Sequence, residues 1–270
     1  MARTISDALG RIGELVGKSN ILFTASGNKA IFAALKALKQ DSRLTVFVQD
    51  QGGWLTYFQY PARLKMGLSL IRTDYGLITD FSALGSQLEP GSIALINSMP
   101  GYAAIQDMKQ VERVCRENCC FLINDVSGSV GSDDALFGDL ILGSFGKDKP
   151  VNLSYGGFIA TDDELLFGRL SDIRGDSPGL DCGILCERLD DLPDRIRFFS
   201  AVRKKIINDL SDFDIIHRNE PGINVIVKYD DAARRESIID YCDANKYPFT
   251  ECPRYIRVRE NAISIEVKRL

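Results

Sequence analysis

One segment of this chain groups the residue types that covalent cofactor chemistry needs. Ser144-Phe-Gly-Lys-Asp-Lys149 is followed by Gly156-Gly157 and preceded by Asp125 at the end of an apolar run. A lysine amine can condense with an aldehyde to form a Schiff base. A carboxylate at a strand end can keep a ring nitrogen protonated, so that the ring acts as an electron sink. A serine hydroxyl can bind phosphate. Upstream, Ser26-Gly27-Asn28 follows the short apolar run Ile21-Leu-Phe-Thr24 and opens a helical pattern. Glycine there permits close backbone approach, and the amides of a first helical turn can donate to an anion.

The elements that must hold these groups can be read from the apolar pattern. A helix is expected near residues 4 to 16 and another from Ser26-Gly27-Asn28 to about Leu38. Strands are expected at 21–24, from Leu44 to Val48, at 68–72, 93–96, 120–125, 139–144 and 157–161, with a helix from about Ile105 to Glu117. Alternation of this kind predicts an α/β fold of three layers, αβα, around a mostly parallel sheet of seven strands. From Leu185 to Leu210 the pattern reads as one long charged amphipathic helix, with Leu185, Leu189, Leu192, Ile196, Phe199 and Val202 on one face. The rest predicts a small α+β domain with antiparallel strands at 222–228 and 262–267 and a helix near 231 to 245. The expected organisation is a large domain over 1–185, an interdomain helix over 186–212 and a small C-terminal domain over 213–270.

Composition narrows the function classes. The chain has 270 residues, 45% of them hydrophobic, and a formal net charge of -4, which argues against a dedicated nucleic-acid surface. No stretch approaches the length of a membrane span, and Met-Ala-Arg-Thr-Ile-Ser-Asp lacks the apolar core of a signal peptide, so the cytoplasm is expected. Seven cysteines without a C-x-x-C pair suggest neither a disulfide framework nor a zinc ribbon. Cys182 with Cys186, and Cys115 with Cys119, could share helix faces and read as buried thiols. The single histidine, His217, excludes a multi-histidine metal site and reads as a loop or strand-end residue. No metal is expected.

Taken together, the segments from Ile21 to Leu210 resemble the fold-type I pyridoxal-phosphate enzymes, and closest among them the DegT/DnrJ/EryC1/StrS aminotransferases. The family's phosphate turn is matched by Ser26-Gly27-Asn28, and its acidic strand end by Ile123-Asn-Asp-Val-Ser127. Its Phe-Gly-Asp is matched by Phe137-Gly-Asp139, and its lysine motif by Ser144, Phe145, Lys149, Gly156-Gly157 and Thr161-Asp-Asp-Glu164. The resemblance implies that Lys149 is the Schiff-base residue and Asp125 the partner of the pyridine nitrogen. It implies that Ser144 binds the phosphate with Ser26, Gly27 and Asn28, that Ser127 adds to the cofactor site, and that Trp54 stacks on the ring. Lys147 competes with Lys149, because the cysteine-desulfurase relatives place the lysine three residues after the serine. The glycine pair favours Lys149.

The chain departs from the family in two places. Gly128 stands where a glutamine or histidine usually touches the ring hydroxyl, and Gly179-Leu-Asp-Cys-Gly-Ile-Leu185 lacks the usual asparagine. Arg257 and Arg259, in Arg254-Tyr-Ile-Arg-Val-Arg259, would share one face of a strand and are candidates for gripping a substrate carboxylate. The reading is an aminotransferase that uses pyridoxal 5'-phosphate, takes a small-molecule amino donor and a keto acceptor, and forms a homodimer, as the resemblance implies. Two alternatives stay open: a lyase or cysteine-desulfurase-like enzyme with Cys242 or Cys252 as sulfur acceptor, and a degenerate, non-catalytic subunit of the same fold.

Overall fold

The computed structural model describes residues 3–39, 45–74, 76–174 and 179–270; Leu44, the expected start of the second strand, and the first two residues lie outside them. The chain begins with α1 (Ile5–Val16), closed at its start by a reciprocal cap: Thr4 Oγ1 accepts from the Asp7 amide, and the Asp7 carboxylate accepts from the Thr4 amide. Ala8, Ile12 and Val16 form its buried stripe, and Gly17, at φ 63°, ends it in the left-handed region.

Then follow β1 (Asn20–Thr24), α2 (Gly27–Lys39), β2 (Thr45–Gln49), α3 (Thr56–Arg63), β3 (Gly67–Ile71), the short pair β4 (Thr73–Asp74) and β5 (Ile78–Thr79), α4 (Phe81–Gln87) and β6 (Ile93–Asn97). The large unit is completed by α5 (Met108–Glu117), β7 (Phe121–Asp125), β8 (Leu140–Ser144), β9 (Gly157–Thr161) and α6 (Glu164–Arg174). Beyond it lie α7 (Cys182–Asp190), α8 (Leu192–Asp209), β10 (Val225–Lys228), α9 (Ala232–Ala244), β11 (Phe249–Cys252) and β12 (Ala262–Ile265).

All seven expected strands join one sheet, in the order β1-β9-β8-β7-β6-β2-β3. Every pairing from β8 to β3 is parallel, while β9 runs antiparallel to both β1 and β8. The side-chain alternation of these strands builds the three layers. Leu22, Val46, Val48, Leu95, Ile123, Leu142 and Ile159 pack with α2, α3 and α6 on one face. On the other face, Phe23, Ile141 and Phe158 meet α1 and α7, while Phe47, Ala94, Ile96 and Leu122 meet α4 and α5. A sheet apolar on both faces can present polar groups only along its edges, and ligands of such sheets gather beyond the carboxyl ends of the strands.

The small unit is the antiparallel sheet β10-β12-β11 with α8 and α9. Its strap Pro221–Asn224 ties it to the large unit: the Ile105 amide donates to Pro221 O at 2.7 Å, and the Ile223 and Asn224 amides both donate to Tyr102 O at 2.8 Å. Gly222 lies so close to this crossing that a Cβ would sit 2.1 Å from Ala103 O.

Three expectations are corrected. The single helix over Leu185–Leu210 is two helices, α7 and α8, which meet at Asp191. Pro193, in the first turn of α8, has no N–H to continue the hydrogen-bond ladder of α7. The face is split accordingly: Leu185, Leu189 and Leu192 pack on the large unit, and Phe199 packs on the small one. The segment Arg254–Arg259 is a turn rather than a strand, and the third strand of the small sheet is β11, just before Pro253. The helix expected from Ile105 begins at Met108, because the Asp107 carboxylate caps it by accepting from the Gln110 amide.

The contact at Gly222 can be tested by substitution. Gly222→Ala should destabilise the protein by about 2 kcal/mol or more, since the methyl meets a carbonyl that cannot move without breaking the strap. Gly168→Ala, in an exposed turn of α6 with nothing within 4 Å, should stabilise it by about 0.5 to 1 kcal/mol. Urea unfolding of both variants reads the contrast.

Candidate active site

The carboxyl ends of the strands converge on one cavity of about 350 Å³, within the size range of small-molecule sites. Its wall includes Ser26, Gly27, Asn28, Trp54, Asp125, Ser127, Ser144, Lys147 and Lys149. Every cofactor-site residue expected from the sequence therefore lines a single space, although the residues lie up to 123 positions apart.

Asp125 ends β7 and is 4% exposed. Tyr57 donates to its Oδ2 at 2.6 Å, and the Ser127 amide donates to Oδ1 at 2.9 Å. Tyr57 is itself fully buried. That burial, reinforced by the Asp125 carboxylate, pushes the phenol well above its usual pKa and locks it as a donor. The carboxylate thus lines the cavity in a fixed orientation.

The other end of the cavity is a cradle at the start of α2. α2 opens at Gly27, so the positive end of its dipole lies at the wall. Ser26 Oγ accepts from the Lys29 amide and caps the helix. A Cβ on Gly27 would lie 2.6 Å from Ser144 Cβ, so glycine is required where β8 and α2 touch. Asn28 Oδ1 accepts from Trp54 Nε1 at 2.8 Å, which leaves the Asn28 amide nitrogen as the donor end of that side chain.

Lys149 sits on the loop between β8 and β9, anchored by Phe145, Val151 and Leu153 in the core and by the Leu153 amide donating to Phe145 O at 2.8 Å. The Phe145 ring stacks on Phe158. So held, the Lys149 amine donates to the Tyr102 hydroxyl and lies 5.3 Å from the centre of the Trp54 ring and 4.8 Å from that of Tyr102.

The small unit closes the cavity with Ile256, Arg257, Lys268 and Arg269. Here the arginine expectation changes. Arg259 is exposed, does not line the cavity, and contributes its backbone amide to Gln51 Oε1. Arg257 does line it, but its guanidinium is committed to Glu266 through two hydrogen bonds of 2.7 and 2.6 Å. Burial raises the Glu266 carboxyl, yet the Arg257 pair outweighs this and holds it below the usual range. Lys268 is the buried cation beside them. Its amine lies 3.4 Å from Asp148 O and 4.8 Å from the Tyr102 ring centre, and burial brings its pKa down to about 7.

Tyr57, Tyr102, Asn97 and Lys268 were not anticipated from the sequence. Tyr57 had a usable signal, an aromatic residue three positions after Trp54 where the helical pattern of α3 begins. Lys268 had another, a charged residue closing the buried run Ala262-Ile-Ser-Ile-Glu-Val267. The cysteines proposed as sulfur acceptors do not line the cavity: Cys242 and Cys252 are buried in the small unit, and burial raises both thiols, Cys242 to about 12. Cys119 lies beyond α5 rather than on it. The segment with no asparagine, 179–185, caps α7 through Asp181. His217 sits in a turn, as expected. Among the described residues no group of three or more metal-ligating side chains occurs, and no helix is long and apolar enough to cross a membrane.

Residues 191–270 match the MJ1341 family C-terminal domain. No curated protein matches the chain. Among solved structures, DesV from S. venezuelae superposes with a TM-score of 0.78 at 13% identity, covering 97% of this chain and 83% of that one. A DegT DnrJ EryC1 StrS aminotransferase from Brucella abortus gives 0.75 at 14%, covering 97% and 84%. A cysteine desulfurase from Thermococcus onnurineus NA1 gives 0.70 at 11%, covering 96% and 77%. The fold is therefore that of the fold-type I pyridoxal-phosphate enzymes, the DegT-type aminotransferases among them.

Lys268 makes a pH prediction for the empty protein. Its folded pKa is lowered from 10.5 to about 7, so below pH 7 the folded state carries the full cost of the buried charge. Between about 7 and 10.5 the unfolded state binds more protons, and stability rises with pH. Lys268→Met should therefore be more stable than the parent at pH 6, by on the order of a few kcal/mol. The gap should shrink steadily toward pH 10, as followed by urea unfolding across pH.

Proposed function

We propose that this chain is a pyridoxal-phosphate-dependent aminotransferase that moves an amino group from a small amino acid to a keto acceptor. The observation that carries the reading is that Lys149, Asp125 and the α2 cradle line one cavity at the carboxyl edge of the sheet. The residues present fit the cofactor: an amine at one wall, a buried carboxylate oriented by two donors, and a helix N-terminus against Ser144 with no Cβ between them. When bound, pyridoxal phosphate supplies an aldehyde carbon and a ring that withdraws electrons.

Each side chain then has a defined task. Ser26, Gly27, Asn28 and Ser144 take the phosphate through hydroxyl, amide and dipole. Asp125, with its Oδ atoms held by Tyr57 and Ser127, keeps the pyridine nitrogen protonated. Trp54 offers its ring face. Lys149 would hold the cofactor through its amine and, once that amine is free, would be the base that carries the proton of the amino acid's α-carbon. With Arg257 spent on Glu266, and Arg269 lying 3.9 Å from Glu266 Oε2 and 4.0 Å from Asp148 Oδ2, the substrate carboxylate falls to Lys268, which lines the same wall. The reading assigns cofactor binding to residues 1–185 and substrate recognition to 213–270. It also carries with it a homodimer and a cytoplasmic location.

Mixing the protein with pyridoxal phosphate should give a visible absorption band at roughly 410 to 430 nm, from the conjugated lysine adduct. Lys149→Ala should abolish the band, while Lys147→Ala should keep it. Asp125→Asn should retain colour and lose amino transfer by about a hundredfold or more. A parent protein that stays colourless would contradict the enzyme reading and leave a non-catalytic subunit of the same fold.

A further inference from the structure

Gly128 leaves open a place beside Asp125, and the structure shows what fills it. A Cβ on Gly128 would lie 3.0 Å from two ring carbons of Tyr102 and 3.3 Å from Met99 Cβ. The tyrosine ring and the glycine are therefore one feature: the small residue admits the large one from a neighbouring strand end. Tyr102 is only 7% exposed and sits at φ 62°, in the left-handed region that a bulky side chain rarely adopts. Such strain persists where the surroundings overdetermine it, and it concentrates at functional sites.

The surroundings do overdetermine Tyr102. Its amide donates to Met99 O at 3.0 Å, and its carbonyl accepts from the Ile223 and Asn224 amides of the small unit. Its ring is ringed by cations: the Lys149 and Lys268 amines each 4.8 Å and the Arg257 guanidinium 5.6 Å from its centre. Its hydroxyl meets the Lys149 amine. Backbone, ring and hydroxyl are thus fixed from both units of the chain, and what they fix is the position of one amine.

We propose that Tyr102 is the positioning residue for Lys149, holding its amine in the cavity by a hydrogen bond that Gly128 makes room for. The proposal rests on the reading of Lys149 as the reacting amine, but it concerns the geometry of that amine before any cofactor arrives. Tyr102 ties that geometry to the small unit, since the strap that accepts its strain carries the same strands that bring Arg257 and Lys268 to its ring. Lys147, on the same wall, has no part in this arrangement.

The test uses Tyr102→Phe, which keeps the ring and removes only the hydroxyl. Formaldehyde with a borohydride reductant methylates lysine amines, and peptide mass spectrometry reads the rate at each lysine across pH in the empty protein. Relative to the parent, Tyr102→Phe should change the Lys149 rate by about tenfold or displace its pH profile, as expected for loss of one hydrogen bond to a charged group. Lys147 should keep its parental profile, and pyridoxamine phosphate, which has no aldehyde, should quench Trp54 fluorescence with unchanged affinity. A Lys149 profile that superimposes on the parent's would overturn the proposal, as would an equal change at Lys147. A parent that fails to gain colour with pyridoxal phosphate, yet shows the Lys149 change, would defeat the aminotransferase reading and leave the role of Tyr102 standing.

Discussion

A carboxylate removed from water is stable only if its surroundings supply what water supplied, and Asp125 sets that condition for the whole site. Removing such a group from solvent costs several kcal/mol unless its oxygens find donors in the protein. Tyr57 and the Ser127 amide meet the demand from two directions. Tyr57 can do so only because α3 buries it completely against the sheet. The loop before α3 must therefore take a fixed path, and that path delivers Trp54 to the opposite wall, where its indole N–H meets Asn28. One buried charge thus fixes α3, the tryptophan loop and the donor end of Asn28.

The second constraint crosses between the two units. Glu266 is wholly buried, and Arg257, Asn224 and Ser264 all donate to it. Breaking a buried pair of this kind by removing one partner costs about 3 to 5 kcal/mol, because the other charge is stranded. The same Asn224 supports Tyr102 through its backbone and Gly101 through its side chain. The strap, the ion pair and the strained tyrosine therefore act as one joint. The cavity wall contributed by the small unit is thereby tied to the large unit through Tyr102 and Gly101.

Much of this was legible in the sequence. The seven strands announced themselves as apolar runs, because a sheet buried on both faces leaves little room for polar residues, and the strand-end positions of Asp125 and Ser144 followed. The glycine pair and Ser26-Gly27-Asn28 were legible because close backbone approach leaves few choices of residue. What was hidden depends on long-range pairing. Arg257 looked like a free substrate cation because nothing local reveals that Glu266, nine residues on, is buried opposite it. The helix break at Asp191 was masked by an apolar face that continues through it, even though Pro193 marked the place. Tyr102 was hidden most deeply, since a tyrosine at positive φ runs against its own backbone preference and is held there by residues of the other unit.

The account stands on the identity of one amine. Treating the protein with pyridoxal phosphate, reducing with borohydride and mapping the modified peptide by mass spectrometry locates that amine directly. The account predicts a pyridoxyl group on Lys149 alone. Modification of Lys147 or Lys268 in its place, or none at all, would contradict it.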